Sequence, residues 1–79
     1  MNPFNRSGNI ELARSVIAAA LELPTEGVPA DGTIETVPGW DSIGHVRIIL
    51  AIETYRGERL PPEEMLRAID VPSVAELLG

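Results

Sequence analysis

The chain has 79 residues, twelve acidic against six basic, a net charge of −6, no cysteine and one histidine. This length holds one small domain with a single core, and without cysteine it has neither a disulfide framework nor a thiolate-ligated zinc site. The acidic balance argues against nucleic-acid binding, which depends on neutralising phosphates, and suits partners with basic docking surfaces.

All six basic residues are arginine, so no lysine is available for Schiff-base chemistry. Apolar runs such as Ile48 to Ile52 are far too short to cross a bilayer. The amino end, Met1 to Arg6, lacks the apolar stretch of a signal peptide. A cytoplasmic, monomeric protein with no membrane insertion is expected, with residues 1–8 as a flexible segment ahead of the domain.

Asn9 is the expected N-cap of the first helix, with Glu11 in the first turn, where a negative charge suits the helix end. Ile10, Ala13, Val16, Ile17, Ala20 and Leu21 recur at helical spacing, and Glu11, Arg14, Ser15, Ala18 and Glu22 fall on the opposite side. Pro24 ends this helix because it disfavours helical geometry at Leu23. From Pro24 to Gly39, prolines and glycines break any periodicity. That stretch reads as a long ordered loop with one short turn near Thr33 to Val37, pinned to the core by Val28, Ile34 and Val37.

The second helix is predicted from Ser42 to Arg56, with Gly57 as the residue that ends it. Ile48, Ile49, Ile52 and Tyr55 make a core face. Ile43, Val46 and Leu50 make a second apolar face angularly close to Ser42, with Arg47, Glu53 and Thr54 around it. Val46 is expected to be partly buried there, and Ile43 and Leu50 largely presented. Pro61-Pro62-Glu63-Glu64 opens a short third helix whose Met65, Leu66 and Ile69 pack inward. Pro72 to Glu76 opens the last helix, with Ser73 and Glu76 at capping-box spacing and Leu77 and Leu78 as its anchor. The fold class is all-α, a small four-helix bundle of three main helices and one short one.

Chemistry concentrates in Gly39-Trp40-Asp41-Ser42-Ile43-Gly44-His45-Val46. An Asp-Ser pair where the loop gives way to a helix leaves the Ser42 hydroxyl at the positive helix end, where a phosphate-linked group is well held. In a chain so poor in reactive side chains, a serine offered for covalent loading is the most economical reading. The plainer alternative makes Asp41 a cap and Ser42 an ordinary first-turn residue. Trp40 reads as a loop anchor, and His45 as a packing or hydrogen-bonding residue. Gly44 either weakens the helix or permits a close approach. Arg47 is either a solvated charge or a docking contact. No catalytic or metal-ligating set is assigned.

Gly39 to Leu60, followed by Pro61-Pro62-Glu63-Glu64, resembles the acyl carrier protein family, one of the phosphopantetheine-dependent carriers. Asp41-Ser42-Ile43 matches the family's Asp-Ser-(Leu/Ile) signature at the start of the second helix. The Pro24 break, Glu53, Gly57, the Leu60-Pro61 step and the close from Ser73 to Leu77 extend the likeness from about Ile10 to Leu78. The resemblance implies that a phosphopantetheinyl transferase moves the 4′-phosphopantetheine of coenzyme A onto Ser42, with Asp41 and Ile43 as part of the recognised site. It further implies that the thiol-tipped arm carries acyl groups as thioesters between acyl-loading and acyl-processing enzymes, the protein itself catalysing nothing.

Gly44, Val46, Arg47, Leu50, Glu53 and Thr54 are the partner-docking residues this reading implies. Gly44 and Arg47 stand where the family commonly has acids, Thr54-Tyr55-Arg56 replaces a common acidic-and-Phe ending, and Glu58 stands where an aliphatic residue is frequent. An enzyme tuned to an acidic helix meets a misplaced positive charge here, which disfavours it as a partner. These departures point to a specialised pathway such as polyketide, nonribosomal peptide or polysaccharide-precursor synthesis. The Asp before the serine leans toward an acyl carrier. A peptidyl or aminoacyl carrier and an unmodified helical adaptor stay open as alternatives. A Ser-His-Asp hydrolase is opposed by the chain's size, which leaves no enclosed pocket or oxyanion hole.

Overall fold

The computed structural model describes the backbone from Pro3 to Gly79 and side chains from Asn9 onward, so Met1 and Asn2 lie outside the described residues. Helices α1 (Pro3–Leu21), α2 (Ser42–Arg56), α3 (Pro62–Arg67) and α4 (Val71–Leu78) follow in order, with a single 3-10 turn at Thr25–Gly27. Among the described residues there is no strand; the nearest thing to one is an isolated antiparallel bridge between Thr33 and Asp70. The architecture is the small all-α bundle expected. No helix among the described residues is long and apolar enough to cross a membrane.

α1 begins earlier than its sequence implies. Pro3 opens it, consistent with the preference of proline for a first helical turn. Asn9 is therefore inside the helix and not its cap; it lies against the backbone of Gly79 at the far end of the chain. Residues 3–8 accordingly belong to α1. The other end closes through a backbone motif ahead of Pro24. Leu23 N–H donates to Ala18 O (2.8 Å) and Glu22 N–H to Ala19 O (3.3 Å), with Glu22 in the left-handed region at φ 59°.

The core draws on Ala13, Ile17 and Ala18 from α1, Ile48, Ile49 and Ile52 from α2, and Val71, Val74, Ala75, Leu77 and Leu78 from α4. α1 packs against both α2 and α4, so its buried arc is wider than a single stripe. That is why Ala18, expected on the solvent side, is buried. Two further expectations are corrected around α3, which has no buried residue of its own. Leu60 and Ala68, flanking the helix, occupy the inward positions, so Leu66 and Ile69 are exposed. Tyr55 is exposed as well. It sits one turn past Ile52, at the rim of an open cleft shared with Arg56, Glu64 and Leu78.

α4 is capped by Asp70, whose carboxylate accepts the Ser73 N–H at 2.8 Å. Ser73 is therefore a residue within the helix and not its cap, and Glu76 turns to Arg67 (3.4 Å). The cap falls at Asp70 because the bridge to Thr33 holds that residue extended, and Pro72 then sits in the first turn, where its missing N–H is harmless.

The long loop is anchored on two edges. Ile34 N–H donates to Ile69 O (2.8 Å) and Val71 N–H to Gly32 O (3.0 Å), which ties the loop to the α3–α4 link. The turn expected from Thr33 to Val37 forms, with both Thr36 and Val37 N–H donating to Thr33 O at 3.0 Å. Val28 and Val37 are buried, and Ile34 packs against the core. On the opposite edge Arg14 donates from Nε to Val28 O (2.6 Å) and from Nη2 to Thr25 O (3.3 Å), while Glu11 pairs with its Nη1 at 2.9 Å. Arg14 is thus a clamp and not a solvated face residue.

Hydrogen bonds from a charged donor to partly buried carbonyls typically contribute about 1.5–3 kcal/mol. Arg14→Met, which keeps the apolar stem, is expected to lose stability in that range in urea denaturation. Glu22→Gly is expected to gain about 0.5–1 kcal/mol, because glycine accepts the left-handed backbone without a Cβ clash.

Candidate functional site

Trp40 is the buried end of the loop, its N–H held by Val37 O at 3.2 Å, just after Gly39 turns the chain with φ 83°. Asp41 follows in extended geometry, and its Oδ1 accepts the Gly44 N–H at 2.8 Å. The first intrahelical bond of α2 runs from His45 N–H to Asp41 O (2.7 Å). Ser42 is consequently the first helical residue, and its side chain is exposed. The N–H groups of Ser42 and Ile43 belong to the orphan donors of a helix start, and they find no acceptor among the described residues.

Gly44 is buried, which corrects its placement among docking residues. A Cβ there would run into the Gly39 carbonyl and come within 2.8 Å of Leu21 Cδ2. The bare backbone at Gly44 is what lets the incoming loop lie across the first turn of α2.

His45 has both ring nitrogens engaged. Trp40 Nε1–H donates to Nδ1 (3.3 Å), so the ring proton is on Nε2 and is donated to the Met65 carbonyl (3.1 Å). This is the hydrogen-bonding role expected of it, and it joins the loop, α2 and α3 at one point. The ring has no nitrogen left to serve as base for Ser42, and the Asp41 carboxylate is committed to the helix cap. A Ser-His-Asp relay does not assemble. Among the described residues no group of three or more His, Asp or Glu side chains is placed to hold a metal ion.

Beside Ser42, Ile43 is 67% exposed, and Val46 and Leu50 are 56% exposed each. Ile43 and Leu50 are presented as expected; Val46 is more open than expected because α3 is too short to cover it. Thr54 is exposed and donates its hydroxyl to Leu50 O at 2.9 Å. Glu53 is turned away from this surface: its carboxylate accepts the Leu60 N–H (2.9 Å) and braces the turn after α2. Its bond spans seven residues across that turn, a reach that no helical spacing rule signals. Arg47 is exposed, with the Glu22 carboxylate at 3.9 Å. The site thus gathers Asp41, Ser42, Ile43, Val46, Arg47, Leu50 and Thr54 on the exposed side, and uses Gly44 and Glu53 for packing and support.

Gly44→Ala separates two effects. Helix propensity alone favours the alanine by about 1 kcal/mol, whereas overpacking typically costs about 1–3 kcal/mol. A net loss of stability is expected in thermal melting; a gain would mean that the Gly39 backbone does not rest on this residue.

No protein-family model matches the sequence, and no curated protein matches it.

Proposed function

We propose that this chain is a discrete acyl carrier protein, holding acyl or related intermediates as thioesters on a 4′-phosphopantetheine arm at Ser42 for enzymes of a specialised biosynthetic pathway. The observation that carries this reading is an exposed serine hydroxyl at the first position of α2, immediately after a capping aspartate and beside an uncovered apolar face.

The residues present fit such a group. A phosphodiester on Ser42 lies at the positive end of a fifteen-residue helix whose Ser42 and Ile43 N–H groups have no acceptor among the described residues. The arm, when attached, supplies a thiol to a chain that has no cysteine. Asp41 holds the first turn closed, so the hydroxyl is offered from a fixed helix start and not from a mobile loop. Gly44 lets the Gly39 backbone pack close, which leaves the approach to Ser42 on the other side. Ile43, Val46 and Leu50 provide a surface on which a phosphopantetheinyl transferase, and then the loading and processing enzymes, make contact.

The hydrolase alternative loses its base, since both His45 nitrogens are occupied. An unmodified helical adaptor draws on the same exposed face, and Ser42 separates it from a carrier: an adaptor retains partner binding in Ser42→Ala, and a carrier loses all function.

Intact mass is the direct measurement. After incubation with coenzyme A and a broad-specificity phosphopantetheinyl transferase, the chain is expected to gain one phosphopantetheine, and Ser42→Ala to gain nothing. An unmodified wild-type chain under conditions that load a control carrier overturns the reading. Asp41→Asn preserves the cap; it is expected to melt with the wild type and yet to be loaded more slowly, which distinguishes recognition from folding.

A further inference from the structure

His45 is the one histidine of a chain without cysteine, and histidine is the side chain that changes charge between about pH 5 and 8. The fold gives its ring two tasks of opposite sense. Nδ1 must accept, because the indole N–H of Trp40 can only donate (3.3 Å). Nε2 must donate, because the Met65 carbonyl can only accept (3.1 Å). Only the neutral ring with its proton on Nε2 satisfies both. Trp40 is buried two residues ahead of Ser42, and its indole N–H has no other acceptor among the described residues. One ring thus ties the loop that delivers Ser42 to the first turns of α2 and to α3.

We propose that His45 is a positioning residue for the loading of Ser42, and that one proton on its Nδ1 switches it off. The proposal rests on the carrier reading, since it concerns the serine that takes the phosphopantetheine. A proton from water taken up by the Nδ1 lone pair makes both ring nitrogens donors. Trp40 Nε1–H then faces an N–H, its hydrogen bond breaks, and a buried donor is left unpaired, an arrangement rare in folded proteins. The Met65 bond survives, so α3 stays tied and the effect falls on the loop side. Nearby charges offer the imidazolium no partner. Asp41 is held on the Gly44 N–H, Glu53 on the Leu60 N–H, Glu64 on Arg56 and Arg67 on Glu76, while Arg47 stands beside Glu22 and Glu63 is exposed. Among the described residues no carboxylate pairs with the ring, and the positive end of α2 gives a cation no help. Gly39 to Asp41 then keep their cap and lose their polar anchor. A hydroxyl offered from a loosened entry spends less time in the geometry that attacks a phosphate, which slows its modification.

The test compares the wild type with two variants that each keep one half of the bridge. His45→Asn places an amide oxygen at the Nδ1 position, so it accepts from Trp40 at every pH. His45→Gln places an amide N–H at the Nε2 position and keeps only the Met65 bond. Chains compete pairwise in one mixture for limiting coenzyme A and a broad-specificity phosphopantetheinyl transferase, read by intact mass, so the transferase's own pH dependence cancels. From about pH 8 to about pH 5.5, the wild type is expected to fall about three- to tenfold against His45→Asn, the scale of one lost hydrogen bond. His45→Gln is expected to be loaded more slowly than His45→Asn throughout, with a flat profile. In isotope-labelled wild type the single indole N–H resonance, that of Trp40, is expected to shift and to exchange faster with water at the midpoint of the His45 ring titration. In His45→Asn it is expected to stay in place. A ratio of wild type to His45→Asn that does not change with pH overturns the proposal. So do equal loading of His45→Gln and His45→Asn, and a Trp40 resonance that does not follow the ring titration. Failure of the carrier reading is distinct: no chain gains mass at any pH, while the Trp40 resonance still reports whether the proton breaks the bond.

Discussion

The Asp41 carboxylate on the Gly44 N–H, at 2.8 Å, decides where α2 begins, and most of the molecule's geometry near Ser42 follows from that decision. Without it the first turn has three unpaired donors and no reason to start at Ser42 instead of a residue earlier or later. The bond works together with the absent side chain at Gly44, which allows the Gly39 backbone to lie across the same turn. Trp40, the residue between Gly39 and Asp41, is buried in the core and anchors the end of the loop. A short stretch of chain thereby converts a sixteen-residue loop into a defined delivery path for one exposed hydroxyl.

α3 is the other element that shapes the site, through what it leaves uncovered. It is six residues long with none buried, and is held by the inward residues at its flanks, Leu60 and Ala68. Two polar ties attach it to α2, one from His45 to the Met65 carbonyl and one from Arg56 to Glu64. Partial desolvation works against the Arg56 charge, but the hydrogen bonds to Glu64 and Glu58 outweigh it and raise the guanidinium above its ordinary range. So short a helix cannot shield the length of α2, and Ile43, Val46 and Leu50 stay open to solvent. An exposed apolar row of this kind is a surface on which proteins commonly meet partners.

The two charges on α2 that look like surface features in one dimension, Glu53 and Arg56, are both spent on the turn and on α3. This leaves Arg47 as the outward charge of α2, with the exposed Glu22 carboxylate 3.9 Å from it. Net charge describes long-range behaviour, which salt screens within about 8 Å at physiological ionic strength. The character of a contact patch is set by which side chains the fold has already committed.

What the amino-acid order determined by itself is whatever rests on neighbours a few residues apart. The bounds of α2 from Ser42 to Arg56, the left-handed Gly57 after it, the proline-led start of α3 and the Thr33–Val37 turn all follow from local capping and steric preferences, and they were legible. So was the position of Ser42 at a helix start, which depends only on Asp41. Tertiary structure alone decided the rest. Arg14 became a clamp because the loop folds back over α1; Ala18 became core because α1 is covered from two sides; Asp70 displaced Ser73 as cap because Thr33 holds it extended. Gly44, Glu53, Leu66 and Tyr55 likewise took their roles from residues distant along the chain or from a helix too short to cover them. Periodicity says which residues share a face. Which face is buried depends on how many neighbours arrive and how far they reach, and that is a property of the assembled bundle.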